Sequence, residues 1–211
     1  MKKFELTNEF VTNMFGTKLF RIRALVEFGD VEAGELGGYV EKESNLGHDD
    51  NAWVYDNAWV SGNAQVSGNA LVYGDAQVSG DARVYDNARV CGNALVRGNA
   101  WVYDNAQVSG NALVYGDAQV SGDARVCGNG DYAYAHGFGS VNRTTTFFRL
   151  KDGGVGVRCG CFYGTLAQFR DKIRETHGET KKAQEYLMLA DLMELRFEED
   201  ENEVGNRKYV E

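Results

Sequence analysis

Valine recurs every six residues, without interruption, between positions 54 and 126. An alanine lies two residues before each valine of this series, and an Asn or Asp precedes each alanine. Strands repeat every two residues and helices about every 3.6, so a six-residue period cannot keep valine on one side of either element. The spacing therefore predicts short extended segments separated by regular bends, which is typical of repeat architectures. The thirteen valines are Val54, Val60, Val66, Val72, Val78, Val84, Val90, Val96, Val102, Val108, Val114, Val120 and Val126.

Each unit carries its bend in two residues, Gly or Asp followed by Asn or Asp. Glycine tolerates a positive φ angle, and Asn and Asp also adopt left-handed backbone conformations. With a bend after every extended segment, valine and alanine point inward and the residue between them points outward. Three units are expected to close one triangular coil, which stacks on the next coil at about 4.8 Å.

The repeated GNAxV pattern resembles the left-handed parallel β-helix of the hexapeptide-repeat proteins. Upstream of the repeat, LFRIRALVEFGDVEAGELGGYVEKESNLG resembles the N-terminal cap of a family of phage and prophage proteins of poorly defined function. These proteins join such a cap to a hexapeptide-like β-helix, and the resemblance covers residues 18–130. It implies a mainly β fold and a left-handed coil, and it supplies no catalytic residues.

The chain is expected to have three parts: an N-terminal β cap at residues 1–48, the β-helix at residues 49–132 and a C-terminal α+β module at residues 133–211. In the cap, alternating apolar and Arg residues predict a half-buried strand over Lys18–Phe28. Both ends of the β-helix need a cap, because the last strands of a stack have unpaired backbone groups.

The C-terminal part is expected to begin with a Gly-rich connection at residues 131–145. A hairpin follows, with its turn at Asp152-Gly153. Two helices are predicted after it, over residues 166–176 and Lys181–Glu199, each with apolar residues at helical spacing. The second helix is apolar around much of its circumference, which favours a buried position in a homo-oligomer interface, with a dimer or trimer as the expected state.

A longer repeat is superimposed on the six-residue one. The segment SGNALVYGDAQVSGDARV occurs at residues 67–84 and again, identically, at residues 109–126. The offset of seven units is not a multiple of three, so the copy is expected to lie on a different face of the coil. Outward residues that can move between faces favour a scaffold over a finely built site on one face.

The net charge is −9, and residues 49–132 carry ten Asp and four Arg but no Glu or Lys. A basic surface for nucleic acid is absent, so no direct nucleic-acid binding is expected. Two interpretations of the acidity remain open. It reflects solubility and turn chemistry, or it forms a surface that meets a basic partner or imitates a phosphate backbone.

Acyl transfer is the activity that the hexapeptide resemblance implies, and such enzymes use a His as general base. Residues 51–130 contain no His, so the only candidates near the coil are His48 and His136. His48 could be oriented as a base by the neighbouring Asp49 or Asp50. The three coil His that a β-helix carbonic anhydrase needs for zinc are missing.

The pair Cys159 and Cys161 is expected on one strand, with both sulfur atoms on the same side. A metal site would need two more ligands, which only His136 and His177 could supply. The alternative is two packing thiols. No metal or other cofactor is expected.

Aromatic residues concentrate in the outward and corner positions of the repeat, and exposed Trp and Tyr often mark binding surfaces. The alternative is that the terminal caps fold over Trp53 and Trp59. The candidate binding residues are Trp53, Trp59, Tyr55, Tyr73, Tyr85, Trp101 and Tyr103.

These observations favour a non-enzymatic binding or scaffold protein. The phage resemblance implies that such a protein interferes with a host defence system. The expected partner is a protein such as a defence nuclease, and a nucleotide ligand remains open. The alternatives are an acyltransferase-like enzyme and a structural or assembly protein. No membrane association is expected, and the N-terminus MKKFELTNEF lacks the apolar core of a signal peptide, so we expect a cytoplasmic location.

Overall fold

The computed structural model describes residues 1–139 and 143–198. Three strands precede the repeat: β1 (Phe4–Thr12), β2 (Lys18–Ala24) and β3 (Leu36–Val40). The repeat forms thirteen two-residue strands: β4 (Trp53–Val54), β5 (Trp59–Val60), β6 (Gln65–Val66), β7 (Leu71–Val72), β8 (Gln77–Val78), β9 (Arg83–Val84), β10 (Arg89–Val90), β11 (Leu95–Val96), β12 (Trp101–Val102), β13 (Gln107–Val108), β14 (Leu113–Val114), β15 (Gln119–Val120) and β16 (Arg125–Val126). Four strands and two helices follow in the described residues: β17 (Tyr132–Phe138), β18 (Arg143–Arg149), β19 (Val155–Cys159), β20 (Phe162–Thr165), α1 (Leu166–His177) and α2 (Lys181–Phe197).

The short strands stack into a parallel β-solenoid with three faces, as the six-residue period predicts. Strand partners are eighteen residues apart, as Trp53 and Leu71 are. The first face contains β4, β7, β10, β13 and β16, the second β3, β5, β8, β11 and β14, and the third β6, β9, β12 and β15. Every alanine and valine of the series is buried. Leu71 lies on the first face and its copy Leu113 on the second, so the 42-residue repeat does change face.

The corners between faces explain why Gly and Asp share one position of the unit. From Asp56 to Gly122 the first corner residue has a φ angle between 53° and 75°. Glycine adopts this conformation without a steric cost, and Asp is among the residues that tolerate it. An Asp at this position also accepts a backbone N–H of the next coil, as Asp56 Oδ2 does from Gly74 at 3.0 Å.

The second corner residue forms side-chain ladders along the solenoid axis. Asn51 donates to Asn69 at 3.1 Å, and Asn69 donates to Asn87 at 3.2 Å. An Asp at this position accepts in the same way, as Asp75 does from Asn57 at 3.2 Å. These bonds support the interpretation that the acidity of the repeat is turn chemistry, because its carboxylates are engaged in the corners.

The N-terminal strands extend the second face of the solenoid, in the order β1-β2-β3-β5. Val40 and Leu46 are buried inside the first coil. The half-buried strand predicted over Lys18–Phe28 is present but ends at Ala24.

Lys3 and Asn45 close the carbonyl end of the solenoid. Lys3 Nζ donates to the carbonyl oxygen of Ala52 at 2.9 Å, and Asn45 Nδ2 donates to that of Ala64 at 2.8 Å. Both side chains therefore take the place of a preceding coil. Burial lowers the pKa of Lys3 from 10.5 to about 8, against the opposing effect of the Asp50 and Asp49 charges.

This pKa predicts that the contribution of Lys3 to the stability of the folded protein increases as pH rises from about 8 to 10. The folded state releases the Lys3 proton near pH 8 and the unfolded chain near pH 10.5, so the unfolded state holds more protons in this window. The gain is at most about 3 kcal/mol. Urea unfolding of the wild type and of Lys3→Met at several pH values measures it, because only the wild type should gain this contribution. Parallel pH profiles of the two proteins would contradict the prediction.

The C-terminal strands form an antiparallel sheet in the order β17-β18-β19-β20. The predicted hairpin is present, with Gly153 N–H donating to Leu150 O across its turn. The expectation of a Gly-rich connection over residues 131–145 is wrong, because Tyr132–Phe138 is a strand that pairs with β18. Gly137 lies where the pairing register shifts, so a bulge accommodates it within the strand.

Both predicted helices are present and pack on this sheet. The Thr165 hydroxyl accepts the N–H of Gln168 at the start of α1. α2 ends at Phe197, and the predicted end at Glu199 lies outside the described residues. Tyr186 is buried in the core that α2 shares with the sheet.

The C-terminal module also closes the last coil of the solenoid. Leu113 N–H donates to Asn129 Oδ1 at 2.8 Å, and Gln119 N–H donates to Thr146 Oγ1 at 2.9 Å. Side-chain oxygens thus accept the hydrogen bonds that these N–H groups would otherwise donate to a further coil. The end of the stack is therefore not an open edge.

Candidate functional site

The structure separates the seven aromatic candidates into the two Trp residues near the N-terminal cap, a pair of Tyr at one corner, and a group of three at the third face. Trp53 is fully buried under the N-terminal cap, where its ring lies 5.2 Å from that of Phe28. Trp59 is half-buried on the second face beside Tyr39 of β3. Tyr55 and Tyr73 lie at the corner after the first face, and Tyr85, Trp101 and Tyr103 lie together at the third face.

The third group forms an ordered surface with two arginines, which we call the Arg83–Trp101 patch (Arg83, Tyr85, Trp101, Tyr103 and Arg158). The Tyr85 and Tyr103 rings stack with centroids 4.9 Å apart and planes 3° from parallel. Trp101 meets the Tyr85 ring edge-on at 6.4 Å. The Arg83 guanidinium lies 5.3 Å from the Trp101 ring centre, and that of Arg158 lies 5.6 Å from the Tyr103 ring centre. Strands β9, β12 and β19 therefore hold the patch on rigid backbone.

The electrostatics of the patch keep the Tyr85 phenol neutral. Burial, followed by the neighbouring Tyr103, Asp86 and Asp104, raises the pKa of Tyr85 to about 12. The carboxylates of Asp86 and Asp104 are held in the corner, where each accepts a backbone N–H of the next coil. Because Arg83 is exposed and half-buried Trp101 lies beside it, the outer part of the patch combines a cation with a flat apolar surface.

Trp101 differs from the Gln residues of its column, and packing against the caps does not explain the difference. The outward column of the third face reads Gln65, Arg83, Trp101 and Gln119, so Gln occupies the same position one coil later and two coils earlier. Trp53, by contrast, packs into the N-terminal cap. A large aromatic residue that no cap requires is the feature of the solenoid surface that most needs an explanation.

His48 is built into the N-terminal cap. Its Nδ1 accepts the backbone N–H of Lys3 at 3.2 Å, and its Nε2 lies 2.9 Å from Glu43 Oε1. The ring also stacks on Phe4 at 4.5 Å. Both ring nitrogens are therefore engaged, which is the arrangement of a structural His.

The remaining His residues are in separate parts of the C-terminal module. His136 lies on an exposed part of β17, with Nδ1 3.0 Å from Thr144 Oγ1. His177 lies at the end of α1, where its ring stacks on Tyr186 at 6.0 Å. Within residues 1–139 and 143–198, no three His, Cys, Asp or Glu residues are placed to hold a metal ion.

The expectation that the two CxC sulfurs share one side of a strand is wrong. β19 ends at Cys159, and Gly160 reverses the chain with a φ angle of 59°. Cys159 is buried and accepts the Thr145 hydroxyl at 3.2 Å, whereas Cys161 is exposed. The tight turn at Gly160 thus separates the two thiols.

Two features have no counterpart in the sequence-based candidates. A cavity of about 380 Å³ lies where the last coil meets the C-terminal module, and its lining includes Tyr115, Tyr132, Tyr134 and Arg196. Arg83 joins Trp101 in the patch although only aromatic residues were predicted there. The alternating segment YAYAHGF is the one sequence signal that could have placed Tyr132 and Tyr134 side by side.

The outer side of α2 presents an apolar stripe. Met188, Leu192 and Leu195 are 71%, 54% and 67% exposed, and they lie on one face of the helix. This stripe is a surface on which a second copy of the chain could pack. The burial of α2 in a homo-oligomer interface stays a prediction. None of the helices that the structure describes is long and apolar enough to cross a bilayer.

Four segments of the chain match a family model described as YdcK β-solenoid repeat, and they cover residues 64–80, 76–90, 88–104 and 106–122. All four lie within the thirteen-unit repeat, so the match and the strand stacking both identify a β-solenoid. No curated protein matches the chain.

Proposed function

We propose that this β-solenoid is a non-enzymatic binding scaffold that contacts a protein partner through the Arg83–Trp101 patch. The observation that carries the proposal is the stacking of the exposed Arg83 on Trp101, beside the parallel Tyr85–Tyr103 pair. Trp, Tyr and Arg are the residue types that dominate binding energy at protein interfaces. Here they are already ordered against one another, so binding would cost little side-chain entropy.

The rigid backbone around the patch supports this role. Trp101 pairs in register with Arg83 on one side and Gln119 on the other. The backbone N–H of Trp101 donates to the carbonyl oxygen of Ala118 at 2.9 Å. A partner would therefore meet a flat surface that does not rearrange. The fitting partner segment has an apolar side chain for the Trp101 ring and a carboxylate for Arg83.

The non-enzymatic part of the proposal is supported by the engaged ring nitrogens of His48. An acyltransferase would need one of them free to take a proton from its substrate. The further proposal that the partner belongs to a host defence system, with a nuclease as the expected class, rests on the phage resemblance. The engaged corner carboxylates favour the patch over the acidic surface as the contact.

Capture of partners from host lysate with the full chain as bait tests the patch. We expect a protein that wild type retains and Trp101→Gln does not, because the substitution removes the central ring of the patch. Gln is chosen because Gln65 and Gln119 already occupy this column, so the solenoid should fold unchanged. Sedimentation of the same samples shows whether the bait is a homo-oligomer.

The matched control is Trp59→Gln, at a Trp on the second face whose neighbour in the column is Gln77. This bait should retain the same protein as the wild type. If Trp59→Gln and Trp101→Gln retain the same proteins in the same amounts as the wild type, the patch is not the contact.

A further inference from the structure

The cavity at the end of the solenoid is built from four segments of the chain. Leu113 and Tyr115 come from the last coil, Asn129 from the short turn that follows it, Tyr132, Ala133 and Tyr134 from β17, and Arg196 from the last turn of α2. Its volume is about 380 Å³. Small-molecule pockets range from about 300 to 1,000 Å³, so this one suits a single ring system.

The hydrogen bonds that close the last coil also fix the cavity walls. Asn129 Oδ1 accepts the N–H of Leu113 at 2.8 Å. The carbonyl oxygen of Asn129 in turn accepts from Arg196 Nη2 at 3.3 Å. The cavity is thus pre-formed, and ligand binding would not need to order these groups.

Aromatic rings and phenol hydroxyl groups form one side of the cavity. The Tyr115 and Tyr134 rings meet edge-to-face, with their centroids 5.5 Å apart. Burial raises the pKa of both Tyr132 and Tyr134, so these phenols stay protonated at neutral pH. A protonated phenol can donate a hydrogen bond to a ligand oxygen.

Arg196 supplies the formal charge of the lining. Among the residues that the structure describes, it is in no ion pair, and its hydrogen bond is to the Asn129 carbonyl oxygen. A second cation, Arg97, lies 6.0 Å from the centre of the Tyr115 ring. The lining contains no carboxylate, although the charge of Asp117 acts on Tyr134. The two guanidinium groups outweigh this carboxylate, so the electrostatic character of the cavity favours an anion.

We propose that this cavity binds a small ligand consisting of one planar ring system with an anionic group. The ring packs against Tyr115, Tyr134 and Leu113, while the anion pairs with Arg196 and accepts hydrogen bonds from the phenol hydroxyls. Guanidinium groups bind carboxylate and phosphate with two parallel hydrogen bonds. A nucleoside monophosphate and an aromatic carboxylate share this chemistry and are the two sources of such a ligand.

Isothermal titration calorimetry of the full chain separates the two sources. The probes are adenosine 5′-monophosphate and indole-3-carboxylate, with adenosine and inorganic phosphate as half-ligands that carry only the ring or only the charge. We expect at least one of the two complete probes to bind with a dissociation constant below about 1 mM and at least tenfold more tightly than either half-ligand. The probe that binds identifies the source.

Arg196→Gln should weaken that binding at least tenfold, because it removes the charge and keeps a side chain that can still donate to Asn129. Arg125→Gln is the matched control, since Arg125 is exposed on the first face and outside the cavity. Measuring the melting temperatures of both variants checks that they are folded. Failure of both complete probes to bind below about 1 mM, binding as tight by a half-ligand, or equal affinities for wild type and Arg196→Gln would each overturn the proposal.

Discussion

Val90→Asp should lower the free energy of unfolding by more than about 4 kcal/mol, the largest effect we expect from a single substitution. Val90 is fully buried in β10, between Val72 and Val108 of the neighbouring coils. An aspartate there would place an unpaired carboxylate among aliphatic side chains, which is far costlier than the loss of apolar contacts alone. Because each coil contacts only its neighbours, a defect in this central coil also separates the two halves of the stack.

The measurement is urea unfolding followed by circular dichroism, with Arg89→Gln as control. Arg89 is the exposed residue beside Val90 in the same strand, and Gln107 occupies its column one coil later. The control should change stability by less than about 0.5 kcal/mol, as is usual for surface substitutions. Similar losses for the two variants would mean that the valine series does not face the interior.

Gly98→Val should cost about 3 kcal/mol, the second largest effect. Gly98 has a φ angle of 75°, and a Cβ atom at this position would lie 3.0 Å from the backbone nitrogen of Gly116 in the next coil. A left-handed conformation alone costs an ordinary residue about 1–2 kcal/mol, and a β-branched side chain adds crowding against the next coil.

Gly98→Asp is the informative comparison for this corner. Asp56, Asp86 and Asp104 already occupy the equivalent position with φ angles of 53° to 57°. The Cβ contact with Gly116 is common to both variants. An aspartate tolerates this backbone and can accept an N–H from the next coil, so it should cost at least about 1 kcal/mol less than valine. Equal melting temperatures for the valine and aspartate variants would contradict the account of why Gly and Asp alternate here.

The solenoid could be predicted almost completely from the sequence because its rules are local and repeated. Each unit carries its own bend, and a shift of register in any coil would move a buried Val to the surface. The strand partners eighteen residues apart and the change of face between Leu71 and Leu113 both follow from counting units. The helices were also predictable, since the Thr165 cap and the apolar spacing of α1 are local signals.

The errors arise where distant contacts decide the structure. The sequence predicts a connection at β17 because glycine is typical of loops. In the structure, pairing with β18 accommodates Gly137 in a bulge within the strand. The two CxC sulfurs were placed on one side because the positive φ angle of Gly160 is not evident from its neighbours. The burial of Lys3 could not be foreseen either, since its partner Ala52 is 49 residues away.

The candidate site was predictable only in part. Trp101 was among seven aromatic candidates, but their exposure depends on the cap, which buries Trp53 beneath Phe4 and Phe28. The contribution of Arg158 to the patch requires the C-terminal sheet to pack beside the third face. The cavity combines the last coil, β17 and α2, and no local sequence signal indicates that these three meet.

The most direct test of the central claim is a calorimetric comparison of Trp101→Gln and Trp59→Gln with the purified partner that the wild-type chain retains. If the Arg83–Trp101 patch is the contact, the dissociation constant should rise at least about 30-fold for Trp101→Gln, the effect of losing a central interface residue. For Trp59→Gln it should stay within about twofold of the wild type. Equal dissociation constants for the two variants would contradict the claim that the patch binds the partner.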